Sequence, residues 1–395
     1  MRTWFNLPSW RTEGIIFFID LDKRILDKEA IVVKPPFQLV SYIAPGAPAT
    51  RRPAQGNEAY LRPEIGFTPR WYRQALGIDF GARWHEEPGY RMEGVAAMRT
   101  ELEHRFPGMG IGMGHGSKDL LTGTYGACTI AGILGLPILY APDQWPTCAG
   151  PYLDEDAVEN LEPPGLDTNP FFQRLMDQFD WIAAKDGKVE GFINWQGVLN
   201  NAHRLRGEAL FTDMALNPGR CLRLFECVCG TMIEAAQRLH ARQRESGVEV
   251  RFFTVSNCLV NLVSPQLYRE LLLPFDQKIA RAFGCIGIHN CAWNASPYLD
   301  AYAEIPCVAY IDMGLDSNLE RARALFPHAR RALMYTPTDL HNKTCGKIRR
   351  DLEHIAECYG PCDIVAADIE AETPDERVIF LVEQCREISG ERGEK

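Results

Sequence analysis

The sequence predicts an α/β protein built as a (β/α)8 TIM barrel with an N-terminal extension, and three observations carry that expectation. Short apolar runs alternate with longer amphipathic segments from about residue 64 onward. The runs are nearly continuous in hydrophobicity, the pattern of parallel strands covered by helices. Seven strand-like runs are visible between Ile65 and Ala367, which suits an eight-unit barrel of ~250 or more residues with one unit obscured. A doubly wound open sheet is the rival. No G-x-G-x-x-G turn follows an early strand, which weakens its nucleotide-binding form.

Residues 1–60 differ from the rest and are read as the extension. Gly14 to Asp20 and Ala30 to Val33 look like strands, and the proline- and alanine-rich stretch Ala44 to Ala54 reads as a connector. Residues 61–395 form the predicted barrel. Its strands are placed at Ile65–Phe67, Gly191–Asn194, Val250–Val255, Cys285–Ile288, Cys307–Ile311, Ala332–Tyr335 and Asp363–Ala367. Helices are expected over Pro218–Ala241, Ser264–Phe283, Asn318–Leu325, Thr344–Tyr359 and Pro374–Ser389.

Composition narrows the function. With 395 residues and 46% hydrophobic content the chain buries a large core, and a net charge of −10 disfavours nonspecific nucleic-acid binding. No run of 18 uninterrupted apolar residues occurs, so no membrane span is expected. The first residues lack the apolar core of a secretion signal. Thirteen dispersed cysteines without a C-x-x-C pair speak against a thioredoxin motif or zinc ribbon. They fit a reduced cytoplasmic protein whose thiols are mostly packing residues.

The chemistry centres on Cys285-Ile286-Gly287-Ile288-His289-Asn290-Cys291. Residues i and i+2 of an extended chain point to one face, so His289 and Cys291 can converge on a zinc ion. In a barrel the loops after the strands' C-terminal ends carry function. The residues expected there are Arg70, Trp71 and Arg73; Asn194, Trp195 and Gln196; Ser256 and Asn257; His289 and Cys291; Asp312; Tyr335 and Thr336; and Asp368 and Glu370. Bland readings stand beside these: Asp312 as a cap for the helix near Asn318, Asn257 as a turn residue, Glu370 as a solvated charge. A serine-hydrolase elbow G-x-S-x-G is missing. His115 lies among glycines of a loop spanning Gly108 to Gly114 and beyond, and Cys227 and Cys229 face different sides of a helix.

Five stretches resemble the uroporphyrinogen decarboxylase superfamily, and within it the zinc-dependent corrinoid methyltransferases. They are Arg62 to Phe67 leading into Trp71 to Ala75, Leu134 to Ile138 with Pro142-Asp143, Asn194 to Leu199, Val263 to Tyr268 continuing to Phe275, and His289-Asn290-Cys291. The resemblance covers roughly residues 62–388. It implies His289 and Cys291 as zinc ligands and a corrinoid that arrives free or on a partner protein, because no Asp-x-His-x-x-Gly segment is built in. A small-molecule methyl donor or acceptor is the implied partner. Ala367 stands where the methyltransferases carry a further cysteine. Asp368, and less readily Glu370, is the substitute donor by this reading. Asn257, Asp312 and Asp368 are the candidate catalytic residues; Arg70, Trp71, Arg73, Trp195, Gln196 and Tyr335 are the candidate cofactor contacts. The alternatives are a metal-free decarboxylase-like lyase with Arg70 and Arg73 clamping an anionic ring, and an inactive corrinoid- or tetrapyrrole-binding protein.

Overall fold

Among the described residues eight strands appear in chain order: β1 (Leu61–Phe67), β2 (Ile138–Ala141), β3 (Gln144–Cys148), β4 (Phe253–Ser256), β5 (Ile286–His289), β6 (Val308–Met313), β7 (Arg330–Met334) and β8 (Cys362–Ile369). The structure is a computed structural model that describes residues 59–111, 119–250 and 253–393. The expected strands at 14–20 and 30–33, the connector at 44–54 and His115 lie outside the described residues.

Six strands form one parallel sheet in the order β1-β8-β7-β6-β5-β4. Each of β5 to β8 lies beside its predecessor, and the first strand abuts the last. That is the winding of a TIM-barrel-like fold rather than of a sheet wound in two directions from a switch point. A closed ladder is not formed among the described residues. Asp119 and Glu190 make one isolated parallel bridge. The expected strand Gly191–Asn194 has no ladder partner among the described residues. The reason is local: the Gln243 side-chain amide donates to the carbonyls of Val189 and Gly191 at 3.0 and 2.9 Å, and Gly191 turns to φ 101°. A side chain has taken the place of strand neighbours.

Strand alternation sorts the core. Leu61, Ile65 and Phe67 of β1 and Cys362, Ile364 and Ala366 of β8 face the helices within one large apolar cluster. Tyr310, Ala332, Val365 and Ala367 form a smaller cluster on the other face. The covering helices include Pro218–Glu245, Leu273–Phe283, Leu319–Leu325, Cys345–Cys358 and Asp375–Gly393. Side-chain caps set several starts: Ser264 accepts from the Leu267 N–H, Asn318 from Arg321 and Thr344 from Lys347. The β2–β3 hairpin was not legible in the sequence, being short and only half-buried. No helix among the described residues is long and apolar enough to cross a membrane.

One expectation is corrected. Cys285 and Cys307 are joined in a disulfide, so the thiols are not all reduced. Both precede neighbouring strands, β5 and β6, which brings their Cα atoms to 4.7 Å, within disulfide range.

Candidate metal centre

The site is built where β4 and β5 end. Their register pairs Ser256 with His289, and the Asn257 N–H donates to the His289 carbonyl at 2.7 Å. Two residues beyond each paired position stands a cysteine, Cys258 on one chain segment and Cys291 on the other. Their sulfurs lie 2.8 Å apart, and the Cys291 sulfur is 3.1 Å from His289 Nε2. The three donor atoms all fall within 4.8 Å of one another. Among the described residues this is the only such cluster with three or more donors.

Each donor is held from behind. His289 Nδ1 meets Asp312 Oδ2 at 2.6 Å, which leaves Nε2 turned to the sulfurs. Asp312, fully buried on β6, also accepts from the Tyr310 hydroxyl at 2.8 Å and from the Asn290 N–H at 2.7 Å. Asn290 donates back to the Asp312 carbonyl and accepts from the Tyr302 hydroxyl. Asn257 bonds buried Asp276 at 3.1 Å, and the Leu259 N–H donates to Asn200 at 3.2 Å, which pins the turn carrying Cys258. Gly197 packs so closely that a Cβ there would lie 2.6 Å from the Ser256 carbonyl oxygen. Cys291 itself sits at φ 54°, a left-handed conformation that non-glycine residues hold only where surroundings impose it.

The electrostatics separate the three donors. Burial disfavours a charged His289, but the Asp312 carboxylate and the Cys291 sulfur outweigh it and hold the imidazole well above its usual range. A hydrogen bond from Cys291 holds Cys258 well below the ordinary thiol value, against the opposing effect of burial. Cys291, the proton donor of that pair, is pushed up by the same bond. Metal binding needs deprotonated sulfurs and a neutral imidazole nitrogen, so any protons these groups carry must leave when an ion is taken up.

The donor set fits zinc. Two thiolates and one imidazole are zinc-type ligands, and three protein ligands leave a fourth position for a substrate. A tetrahedral ion with metal–sulfur bonds of about 2.3 Å would hold the sulfurs about 3.7 Å apart. The turns need to spread by under about 1 Å to admit it. The Asp312–His289 bond is the carboxylate–histidine arrangement that fixes a metal-binding tautomer. Asp312→Asn is expected to lower zinc affinity about 10–100-fold, measured by competition with a chelator on folded protein. Unchanged affinity would show that the bond orients nothing.

The other predicted residues fall into three groups. Asp368 stands at the end of β8 at φ 55°. Its side chain remains solvent-accessible although protein crowds it. That crowding raises its pKa, against a hydrogen bond from Trp145 of the β2–β3 hairpin and the charge of His289. Asp368 is outside the three-donor cluster, and Glu370 accepts from Thr68 at 3.2 Å; the third donor is Cys258. Asn257 is a positioning residue and Gln196, at φ 58°, bonds Asn194 and Asn200 within the neighbouring turn. The remaining candidates point elsewhere. Arg70 pairs with Glu372 at 2.7 Å and Arg73 with Asp79 at 3.8 Å, all four exposed. Trp71 is buried against Phe67 and Tyr72 under the Arg105 guanidinium. Trp195 stacks on Phe253. The Tyr335 hydroxyl donates to Asp351.

The sequence reading missed Cys258. A signal was present: Ser256-Asn257-Cys258 and His289-Asn290-Cys291 are matching x-Asn-Cys endings of two strands.

No protein-family model matches the sequence, and no curated protein matches it. Among solved structures, a methyltransferase from Methanosarcina mazei superposes with TM-score 0.58 over 89% of this chain and 94% of its own, at 15% identity. A candidate vitamin-B12 independent methionine synthase from Listeria monocytogenes aligns over 83% and 98%, with TM-score 0.44 and 11% identity. What this chain shares with the Methanosarcina protein is its fold.

Proposed function

We propose that the chain is a zinc-dependent methyltransferase that moves a methyl group between a small substrate and a corrinoid, the corrinoid arriving free or on a partner protein. The reading includes a closed (β/α)8 barrel over residues 61–395, with 1–60 as an extension. The observation that carries it is the Cys258–His289–Cys291 cluster at the C-terminal ends of β4 and β5. It stands in the place where barrels of this kind hold their chemistry, on a fold similar to that of a methyltransferase.

When bound, zinc would act as a Lewis acid that lowers the pKa of a thiol or hydroxyl in its open position. The chain's own residues do the rest. Asp312 fixes the imidazole with Nε2 forward. The Asn257–Asp276 and Asn290–Tyr302 bonds hold both cysteine turns still while a substrate enters. On this reading Asp368, accessible and with a raised pKa, would exchange a proton with the substrate heteroatom. The metal-free lyase loses support, because the arginines meant to clamp its substrate are held in surface ion pairs.

The test is to incubate zinc-loaded protein with methylcobalamin and small thiols, and in reverse with reduced cobalamin and methyl ethers or thioethers. Corrinoid absorbance is followed throughout. Methyl transfer in one direction, lost on chelation and restored by zinc, is expected. Binding of cobalamin without transfer in either direction would instead favour the inactive binding protein.

A further inference from the structure

The two sulfurs of the candidate metal centre stand between two geometries. Cys258 Sγ and Cys291 Sγ are 2.8 Å apart. A disulfide would draw them to about 2.04 Å, and zinc would hold them about 3.7 Å apart. Either state is reached by a shift of under about 1 Å. The backbone favours the contact. Ser256 and His289 are paired Cα to Cα, so the two chains leave the sheet at the spacing of neighbouring strands, about 4.8 Å. The bond from the Asn257 N–H to the His289 carbonyl carries that pairing one residue further. A disulfide asks for Cα atoms about 4.4–6.8 Å apart, a range that contains this spacing. Both cysteines are half-buried, so a small molecule can reach them.

We propose that Cys258 and Cys291 are a redox lock on metal loading: a small-molecule disulfide closes them into an intramolecular disulfide that excludes zinc, and bound zinc in turn protects them. The inference rests on the zinc reading of this site and adds its regulation; it does not depend on methyl transfer. The exclusion is chemical before it is steric. A metal takes a thiolate as its ligand, and closing the link consumes both thiolates. His289, held by Asp312, is then the one donor left of the three. A single imidazole does not make a zinc site. The coupling is reciprocal, since whatever stabilises one state opposes the other. Cys285 and Cys307 stand at the opposite ends of β5 and β6 and take no part.

The chemistry balances with a small disulfide, such as oxidised glutathione, as oxidant. One cysteine thiolate attacks a sulfur of the small disulfide, whose S–S bond breaks, and one small thiolate leaves. The product is a mixed disulfide on the protein. The second cysteine thiolate, already in contact, attacks the first cysteine's sulfur. The mixed S–S bond breaks, the second small thiolate leaves, and the Cys258–Cys291 bond forms. The two protein sulfurs are oxidised and the two sulfurs of the small disulfide are reduced. The protons given up by the two protein thiols go to the two departing thiolates. An excess of small thiol runs the same steps backward.

The experiment strips the full-length protein of metal with a chelator, exposes it to oxidised glutathione, blocks free thiols and maps disulfides by mass spectrometry. A Cys258–Cys291 linked peptide is expected, distinct from the Cys285–Cys307 one. The linked protein should take up almost no zinc by elemental analysis, and excess reduced glutathione should restore uptake. In Cys258→Ser, Cys291 should stop at the mixed disulfide with glutathione. Zinc-loaded protein should form the link in proportion to its metal-free fraction, about 100-fold more slowly at free zinc of 100 Kd. Mixed disulfides alone in the native chain, zinc uptake undiminished by the link, or equal oxidation rates with and without zinc would overturn the proposal. Zinc uptake by reduced protein that never forms the link would overturn this inference alone. A link that forms in a chain whose reduced state takes up no zinc would overturn the zinc reading and this inference with it.

Discussion

Cys258→Ala is expected to strip the chain of zinc, whereas Asp368→Ala is expected to leave the metal bound. The contrast separates two candidate third donors. The Cys258 sulfur is 2.8 Å from Cys291 and belongs to the three-donor cluster; the Asp368 carboxylate does not. Zinc held by thiolates and imidazoles binds with roughly 10–16 kcal/mol, so one ligand in four accounts for about 2.5–4 kcal/mol. Its loss should weaken binding about 10²–10³-fold. Dialysis against a chelator at a fixed free concentration, followed by elemental analysis, reads this directly. The native chain should retain about one ion and Cys258→Ala almost none. Full zinc in Cys258→Ala, with loss in Asp368→Ala, would move the third ligand to the end of β8 and sink the geometry described above.

The half of the candidate site that was legible in the sequence is the half encoded locally. His289 and Cys291 are two residues apart at the end of an apolar run, and strand periodicity alone puts them on one face. Cys258 is 33 residues from Cys291, and its proximity exists only through the register of β4 on β5. No local pattern states that register. The same distinction explains the misplaced cofactor contacts. Trp71 and Trp195 follow predicted strand ends, but an aromatic ring there is free to turn toward the helices, and burial against Phe67 and Phe253 wins. Arg70 and Arg73 lie on the exposed side of a helical turn, where acidic neighbours take them. Among the fold's elements, those with long amphipathic repeats and capping residues were readable, such as Ser264 to Phe283. Gly191–Asn194 was not, because a glutamine from the helix Pro218–Glu245 occupies the carbonyls a ladder would use.

Asp363→Ala is expected to destabilise the fold by about 3–5 kcal/mol, the largest stability loss foreseen for any polar residue considered. Asp363 lies near the start of β8, fully buried, and joins three strands. Arg62 of β1, its partner in register, donates to one carboxylate oxygen. Arg330 of β7 donates to both, at 2.7 and 3.0 Å. The carboxylate thus spans the seam where the first strand meets the last. Removing it leaves two guanidinium groups, 7% and 17% exposed, without their shared counter-charge. Chemical denaturation should show the loss as a lower midpoint at an unchanged slope. Replacing all three residues together by apolar side chains of similar volume should recover most of it, because the ion network costs desolvation as well as adding attraction. This network lies at the opposite ends of the strands from Cys258 and Cys291. Zinc content per folded chain should therefore stay unchanged in Asp363→Ala, and a parallel loss of zinc would mean that the metal turns are not held independently of the seam.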